Sequence, residues 1–296
     1  MSDSSITLYK LDVFADTIFA GNPAAVCVLT WGLNLSDETM MKISAEMGST
    51  AGFLSRIKAQ DSFSTANKFN LRWFTSKSEV KLCGHATLAT GAVLTRYYDN
   101  QSDGITFITS GGDLVVRKEG SKISMNLPVN VSTPQNKEDY SKLISSFGDL
   151  PKVEEVQYCS SLNYVLIVLS TGWTRKEFEE WRPDIPTIHK AGDNGILKVA
   201  VITMSADGDT AFKDADGNRY DFVSRVFGPW LGADEDPVTG SAHTILANYW
   251  SKKLGKIDFY ARQCSPRGGD VNIHLQGDRV DLKGNVIKVL QGTMDL

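Results

Sequence analysis

The sequence predicts a mixed α/β (α+β) protein made of two similar halves. A first observation is an internal repeat: Arg72-Trp73-Phe74, a loop, Gly84-His85-Ala86 and a helical run ending near Tyr97-Tyr98 are matched by Arg225-Val226-Phe227, a loop, Gly240-Ser241-Ala242 and a helical run ending near Tyr249-Trp250. The arginines are 153 residues apart and the glycines 156. Such a spacing marks domain duplication rather than a solenoid, whose repeats run ~20–50 residues. A second observation is that strand-length apolar runs alternate with runs of helical spacing in both halves. The third is length: 296 residues make one large domain or two medium ones.

The elements follow in chain order. Residues 8–14 alternate and read as a strand, and 24–29 as a more buried one, with the turn chemistry of Phe19-Ala20-Gly21-Asn22-Pro23 between them. Ser36 is placed to cap a helix whose Asp37 and Glu38 suit the positive end of its dipole, and Ile43 and Met47 share one face. Residues 68–74 form a strand, 75–81 a polar loop, and 86–98 a helix whose Ala86, Ala89, Thr90 and Val93 form a small-residue face for close packing. Residues 105–109, 114–117 and 122–127 read as a meander turning at Gly111-Gly112 and Gly120. The polar stretch 128–137 reads as the crossing between halves. Strands follow at 164–169, 197–204 and 222–227, then a loop at 228–239 and a helix over 242–253. Strands at 271–275, 279–282 and 286–290 close the chain. The expected domains are 1–127, joined by the last strand at about 285–296, and 128–284.

Composition narrows the function classes. With 42% hydrophobic and 22% charged residues, a net charge of −4 and no block of like charges, the chain has no whole-molecule attraction for nucleic acid or an anionic membrane. No apolar run approaches the ~20 residues of a membrane span. The start, residues 1–6, lacks the basic and apolar segments of a signal peptide. Cys27, Cys83, Cys159 and Cys264 lie far apart, without zinc-ligand spacing. A cytoplasmic protein with reduced thiols and no metal is the expectation.

The repeated unit carries chemistry. A helix start has unsatisfied N–H groups and about half a positive charge, and glycine there lets an anion approach the backbone. Two such starts facing one cleft would hold a small carboxylate without metal or cofactor. A Gly-x-Ala that merely opens a helix is the competing reading, and the second copy favours the site. Around the starts, Asp234 and Glu235 read as a solvated acidic loop. Asp236, fixed by Pro237, can reach the first helical turn or a histidine; an Asp–imidazole pair is a common proton-transfer arrangement. Among four histidines, His85 is the general acid/base candidate; His243 is a supporting residue, and His189 and His274 are surface or packing residues. Cys83 stands where a thiol pKa would fall. It reads first as a small buried hydrophobe, because Thr239 occupies the matching place and a two-thiol racemase needs a cysteine on each face.

Gly21-Asn22-Pro23-Ala24-Ala25-Val26, Leu82-Cys83-Gly84-His85-Ala86-Thr87, Glu235-Asp236-Pro237-Val238-Thr239-Gly240-Ser241-Ala242 and Arg267-Gly268-Gly269, in this order along essentially the whole chain, resemble the PhzF family of phenazine-biosynthesis isomerases. Leu71-Arg72-Trp73-Phe74-Thr75 and Glu79-Val80-x-Leu82-Cys83 resemble its animal members, the phenazine biosynthesis-like domain-containing proteins. The resemblance implies a diaminopimelate epimerase-like fold, in which each of two domains wraps a curved sheet around a central helix and the active site lies between them. It implies a homodimer and a cofactor-independent isomerase of a biosynthetic process. By position, His85, Asp236 and Ser241 match the family's catalytic residues, and Gly84 and Gly240 line the site. Asn22, Cys83, Ala86, Thr239 and Ala242 complete the expected substrate-binding set. Cys83 matches the first cysteine of the related epimerases.

One departure stands out. The family's proton-transferring glutamate lies in a Ser-Glu-Thr-x-Phe motif, and here the stretch reads Met47-Gly48-Ser49-Thr50-Ala51-Gly52-Phe53. Counting back from Phe53 puts Thr50 in the glutamate's place; counting forward from Ser49 makes the glutamate a deletion. Losing a general acid/base commonly costs a factor of ~10²–10⁴. Three readings result: an isomerase acting on a small carboxylate-bearing molecule, impaired for want of that group; a catalytically weak pseudoenzyme that binds a ligand or a protein; and a one-thiol epimerase using Cys83.

Overall fold

The computed structural model describes residues 5–192, 195–207 and 212–296; the polar start at 1–4 lies outside them. The chain divides into two compact units, Met1–Leu127 with Lys283–Leu296, and Pro128–Leu282. Among the described residues, no helix is long and apolar enough to cross a membrane.

The first unit contains β1 (Ser5–Val13), β2 (Asn22–Val28), α1 (Asp37–Glu46), β3 (Ala51–Arg56), β4 (Lys68–Phe74), β5 (Glu79–Val80), α2 (Gly84–Tyr97), β6 (Ile105–Ile108), β7 (Leu114–Glu119) and β8 (Lys122–Pro128). Its sheet starts from the chain's last strand, which pairs antiparallel with β1. From β1 the pairings run antiparallel to β2, parallel to β3, antiparallel to β4, parallel to β6, antiparallel to β7 and antiparallel to β8. Helix α2 touches β1, β2, β3, β7 and the last strand, so the sheet curves around it. This needs small residues: Ala86 through Thr95 are all buried, and a Cβ on Gly91 would lie 2.8 Å from Val116 of β7. Period-two alternation sends Gly52 toward Thr90 of α2 and Phe53 into the opposite cluster, where Met40 and Ile43 of α1 pack on Ala25, Cys27 and Phe74. Ser36 caps α1 by accepting from the Thr39 N–H at 3.2 Å.

The second unit contains β9 (Thr133–Gln135), α3 (Ser141–Ser146), β10 (Val153–Cys159), β11 (Tyr164–Leu169), α4 (Arg175–Glu180), α5 (Ile185–Gly192), β12 (Val199–Ser205), β13 (Phe222–Phe227), α6 (Gly240–Leu254), β14 (Asp258–Gln263), β15 (Gly269–Gln276) and β16 (Arg279–Gly284); the last strand of the chain is β17 (Val286–Asp295). From β10 the pairings run antiparallel to β11, parallel to β12, antiparallel to β13, parallel to β14 and antiparallel to β15. That is the sequence of pairings found from β1 to β7. In both units a long helix follows the fourth strand of the series, so the repeat extends from sequence to topology.

Helix α6 holds the inner place of α2: Trp250 stacks on Phe222 at 5.7 Å and donates to the Thr203 hydroxyl, and Tyr249 reaches Glu155 of β10. The alternate positions Ile202, Met204, Val223 and Phe227 face an aromatic layer built on Phe147 and Phe178, with Trp181 packed against it. The stretch 128–137, read as a crossing, carries β9, which pairs with β10 at Thr133–Tyr158. Strands β3, β5, β10 and β14 and helices α3–α5 carry no such expectation from sequence: the helices are at most eight residues long, too short for a clear 3.6-residue period.

Candidate active site

Each unit ends a strand, crosses a loop and opens its central helix at a glycine. Neither opening is capped by a side chain: Cys83 and Thr239 sit at the N-cap positions of α2 and α6 in extended conformation, with no side-chain cap hydrogen bond. The approach to each is fixed by an arginine–glutamate fork. In the second unit Arg225 of β13 donates from Nε and Nη2 to the two oxygens of Glu235, both at 2.7 Å. It also donates to the carbonyls of Phe178 and Trp181, with the Trp181 and Phe227 rings about its guanidinium. In the first unit Arg72 of β4 makes the same fork to Glu79, at 2.9 and 2.8 Å, and reaches Asp37. The expectation of a solvated Glu235 is therefore corrected. Its side chain is 14% exposed because a fully buried guanidinium needs a counter-ion. Asp234 is exposed.

The cluster of the second unit is assembled on the loop that Glu235 anchors. Asp236 donates its N–H to the Val226 carbonyl at 3.0 Å, and its Oδ2 accepts from the Thr239 hydroxyl at 2.5 Å. So Asp236 is tied to the first turn of α6. Gln263 of β14 stitches the loop from beneath: its Oε1 accepts from the Thr239 N–H at 2.8 Å, and its Nε2 donates to the Asp236 carbonyl at 2.6 Å. Ser265 donates to the Pro237 carbonyl at 2.8 Å. One residue later than Gly240, the Ser241 Oγ lies 3.1 Å from the Tyr164 hydroxyl. Burial pushes the Tyr164 pKa up and the Asp236 charge adds to it, so the phenol stays protonated as a hydrogen-bonding partner for Ser241. The unit thus brings together Asp236, Thr239, Gly240, Ser241 and Tyr164, with Ala242 buried behind them. His243 is fully buried, with Nδ1 against the Thr239 carbonyl at 2.8 Å and its pKa lowered to about 4 by burial.

The cluster of the first unit gathers Cys83, Gly84 and His85, with Ala86 buried behind them. The Cys83 sulfur is 3.6 Å from His85 Nδ1 and 3.7 Å from Nε2. Burial, with the charge of Lys10 adding, lowers the His85 pKa to about 4, so the imidazole is neutral near pH 7 and available to accept a proton. Thr50 sits between α1 and β3 with its carbonyl accepting from the Ala25 N–H at 3.0 Å. Asn22 is buried at the start of β2, after Gly21, whose φ of +63° and 2.1 Å Cβ approach to the Val13 carbonyl admit only glycine.

Sequence reasoning missed Lys10, Tyr164, Gln263 and the Arg225–Glu235 fork. For the fork a signal existed: an arginine at the same strand position in both repeats, each followed by a glutamate before the helix. Tyr164 opens a uniformly apolar strand and reads as core.

Comparisons with known proteins agree with this architecture. The family model described as phenazine biosynthesis-like protein matches residues 11–292. Phenazine biosynthesis-like domain-containing protein 1 of Mus musculus is 39% identical over 295 residues, covering 98% of this chain and 99% of that protein. A Pseudomonas aeruginosa protein named as an uncharacterized isomerase is 36% identical over 294 residues, covering 98% of this chain and 99% of its own. The crystal structure of a PhzF-family phenazine biosynthesis protein from Enterococcus faecalis superposes with a TM-score of 0.79 at 32% identity, over 99% of this chain and 100% of that one. A hydroxyproline epimerase from Agrobacterium vitis shares the fold alone, with a TM-score of 0.52 at 12% identity over 99% of this chain and 93% of that one. The fold is therefore the diaminopimelate epimerase-like one, and the chain belongs to the PhzC-PhzF family of phenazine biosynthesis-like proteins.

Proposed function

We propose that this protein is a cofactor-independent isomerase that moves a proton on a small carboxylate-bearing molecule. The observation that carries the reading is the cluster at the start of α6: a helix opening without a side-chain cap, with Asp236 tied to Thr239 and Ser241 beside Tyr164. N–H groups of a helix start attract a carboxylate, and the Ser241 and Tyr164 hydroxyls add donors. Asp236 and the neutral His85 are the proton-handling groups. The isomerase name of the Pseudomonas relative supports the same class.

The experiment is a titration with small cyclic carboxylic acids, followed by NMR in deuterated water. Exchange at a substrate carbon with the wild type, lost in Asp236→Asn, is expected. Binding with no exchange at any carbon would remove the isomerase and leave a binding protein. That second reading rests on the loop around Thr50, where the resemblance implies a glutamate and the chain carries a threonine, with Lys10 donating to the Ser49 hydroxyl and the Met47 carbonyl beside it. Restoring the carboxylate with Thr50→Glu discriminates, since a gain of exchange means that the native chain lacks only this group. The Cys83–His85 contact favours a one-thiol epimerase as a third mechanism. It requires Cys83→Ser to abolish turnover, and unchanged turnover removes it.

A further inference from the structure

Each central helix carries, four residues after its N-cap, a side chain that turns back on the N-cap carbonyl. In α2 the Thr87 hydroxyl donates to the Cys83 carbonyl at 2.7 Å, and in α6 His243 Nδ1 lies 2.8 Å from the Thr239 carbonyl. Thr87 and His243 are 156 residues apart, the spacing of the helix-opening glycines, so the device belongs to the repeat. A carbonyl only accepts, so the proton of the His243 bond is on Nδ1. The other ring nitrogen agrees: Nε2 is buried with no partner among the described residues, where a second proton would be stranded. Burial lowers the pKa to about 4, which keeps the ring in this single-proton form near pH 7. Thr239 is thereby held at every polar group. Its carbonyl accepts from His243, and its N–H donates to Gln263 Oε1 at 2.8 Å. Its hydroxyl accepts from Gln263 Nε2 at 3.3 Å, which turns the hydroxyl proton toward Asp236 Oδ2, 2.5 Å away.

Resting on the isomerase reading above, we propose that His243 is a positioning residue for Asp236: as the Nδ1–H tautomer it anchors the Thr239 carbonyl, and so fixes the direction in which the Thr239 hydroxyl meets the Asp236 carboxylate. A hydroxyl that always donates holds Asp236 Oδ2 as an acceptor and keeps the carboxylate in one orientation for proton transfer.

The test is the pair His243→Thr and His243→Val. The two side chains have one shape and leave the same space beside Phe222, whose ring packs on the imidazole at 6.3 Å. Only threonine can donate to the Thr239 carbonyl, as Thr87 does to Cys83 in α2. The probes are the small cyclic acids of the titration above, beginning with cyclohex-2-ene-1-carboxylate, whose C1 hydrogen lies beside both the carboxylate and the double bond. Deuterium exchange at saturating acid is expected to be about tenfold slower in His243→Val than in His243→Thr, the range of one hydrogen bond, with equal affinities by calorimetry. Lost packing moves both variants together, so equal exchange rates in the pair overturn the proposal and leave the isomerase reading standing. A pair that differs in affinity alone overturns it as well. No exchange of any of these acids by the wild type overturns the isomerase reading and the proposal together. A ligand-free readout on the wild type does not depend on how well the variants fold. Nitrogen-15 NMR near pH 7 should show His243 with a protonated Nδ1 and an unprotonated Nε2, and a protonated Nε2 contradicts the assignment.

Discussion

The two units build the same arginine–glutamate fork and set it in different surroundings. Arg225 and Glu235 are 1% and 14% exposed, whereas Arg72 and Glu79 are 39% and 28% exposed. The buried fork carries two backbone carbonyls as well and holds the residue next to Asp236. The open fork shares its arginine with an exposed Asp37. A duplicated device has thus diverged into a closed fork beside Asp236 and an open one ahead of the helix that carries His85.

The largest effect expected from this asymmetry is chemical. Asp236→Asn keeps the shape of the supported side chain and removes its charge, so proton exchange should fall by about 10²–10⁴-fold, measured as deuterium incorporation. An unchanged rate would mean that the buried fork supports something other than chemistry. Next is stability. Arg225→Met strands the Glu235 carboxylate in a largely closed site and should cost about 3–5 kcal/mol in denaturant unfolding.

A pH effect is shared by both helices, since each carries one histidine lowered from 6.5 to about 4 by burial. The unfolded chain takes up protons on both histidines first. Their contribution to stability is therefore full above about pH 6.5, declines as the pH falls and is gone below about pH 4. Denaturant midpoints measured across that window should fall on acidification, and His243→Asn should remove about half of the histidine part of the slope. The smallest effect is Arg72→Met, at about 1 kcal/mol or less because solvent screens the open fork. Equal losses for Arg72→Met and Arg225→Met would break the comparison.

Much of this was legible in the sequence, for identifiable reasons. Strand β11 is a continuous apolar run and β13 an apolar run broken by Ser224 and Arg225, the bounds of both emerge directly, and the Gly-x-Ala starts of α2 and α6 mark the helix ends to within two residues. What was hidden depends on partners far apart in the chain. Glu235 reads as solvated until Arg225 is seen to be buried against two carbonyls. Lys10 reads as the solvent face of an alternating strand, because its loop partners are nearly forty residues away. Gln263 sits in a strand with clear alternation, yet its role comes from both ends of its amide meeting one loop.

The measurement that bears most directly on the account is the separation of affinity from rate in His85→Gln and Ser241→Ala, using one carboxylic acid and deuterium exchange. The account predicts that His85→Gln slows exchange with affinity unchanged, and that Ser241→Ala weakens binding with a smaller effect on exchange of the bound ligand. If both variants lost affinity alone, or if neither altered exchange, the assignment of proton transfer to His85 and of carboxylate binding to Ser241 would be contradicted.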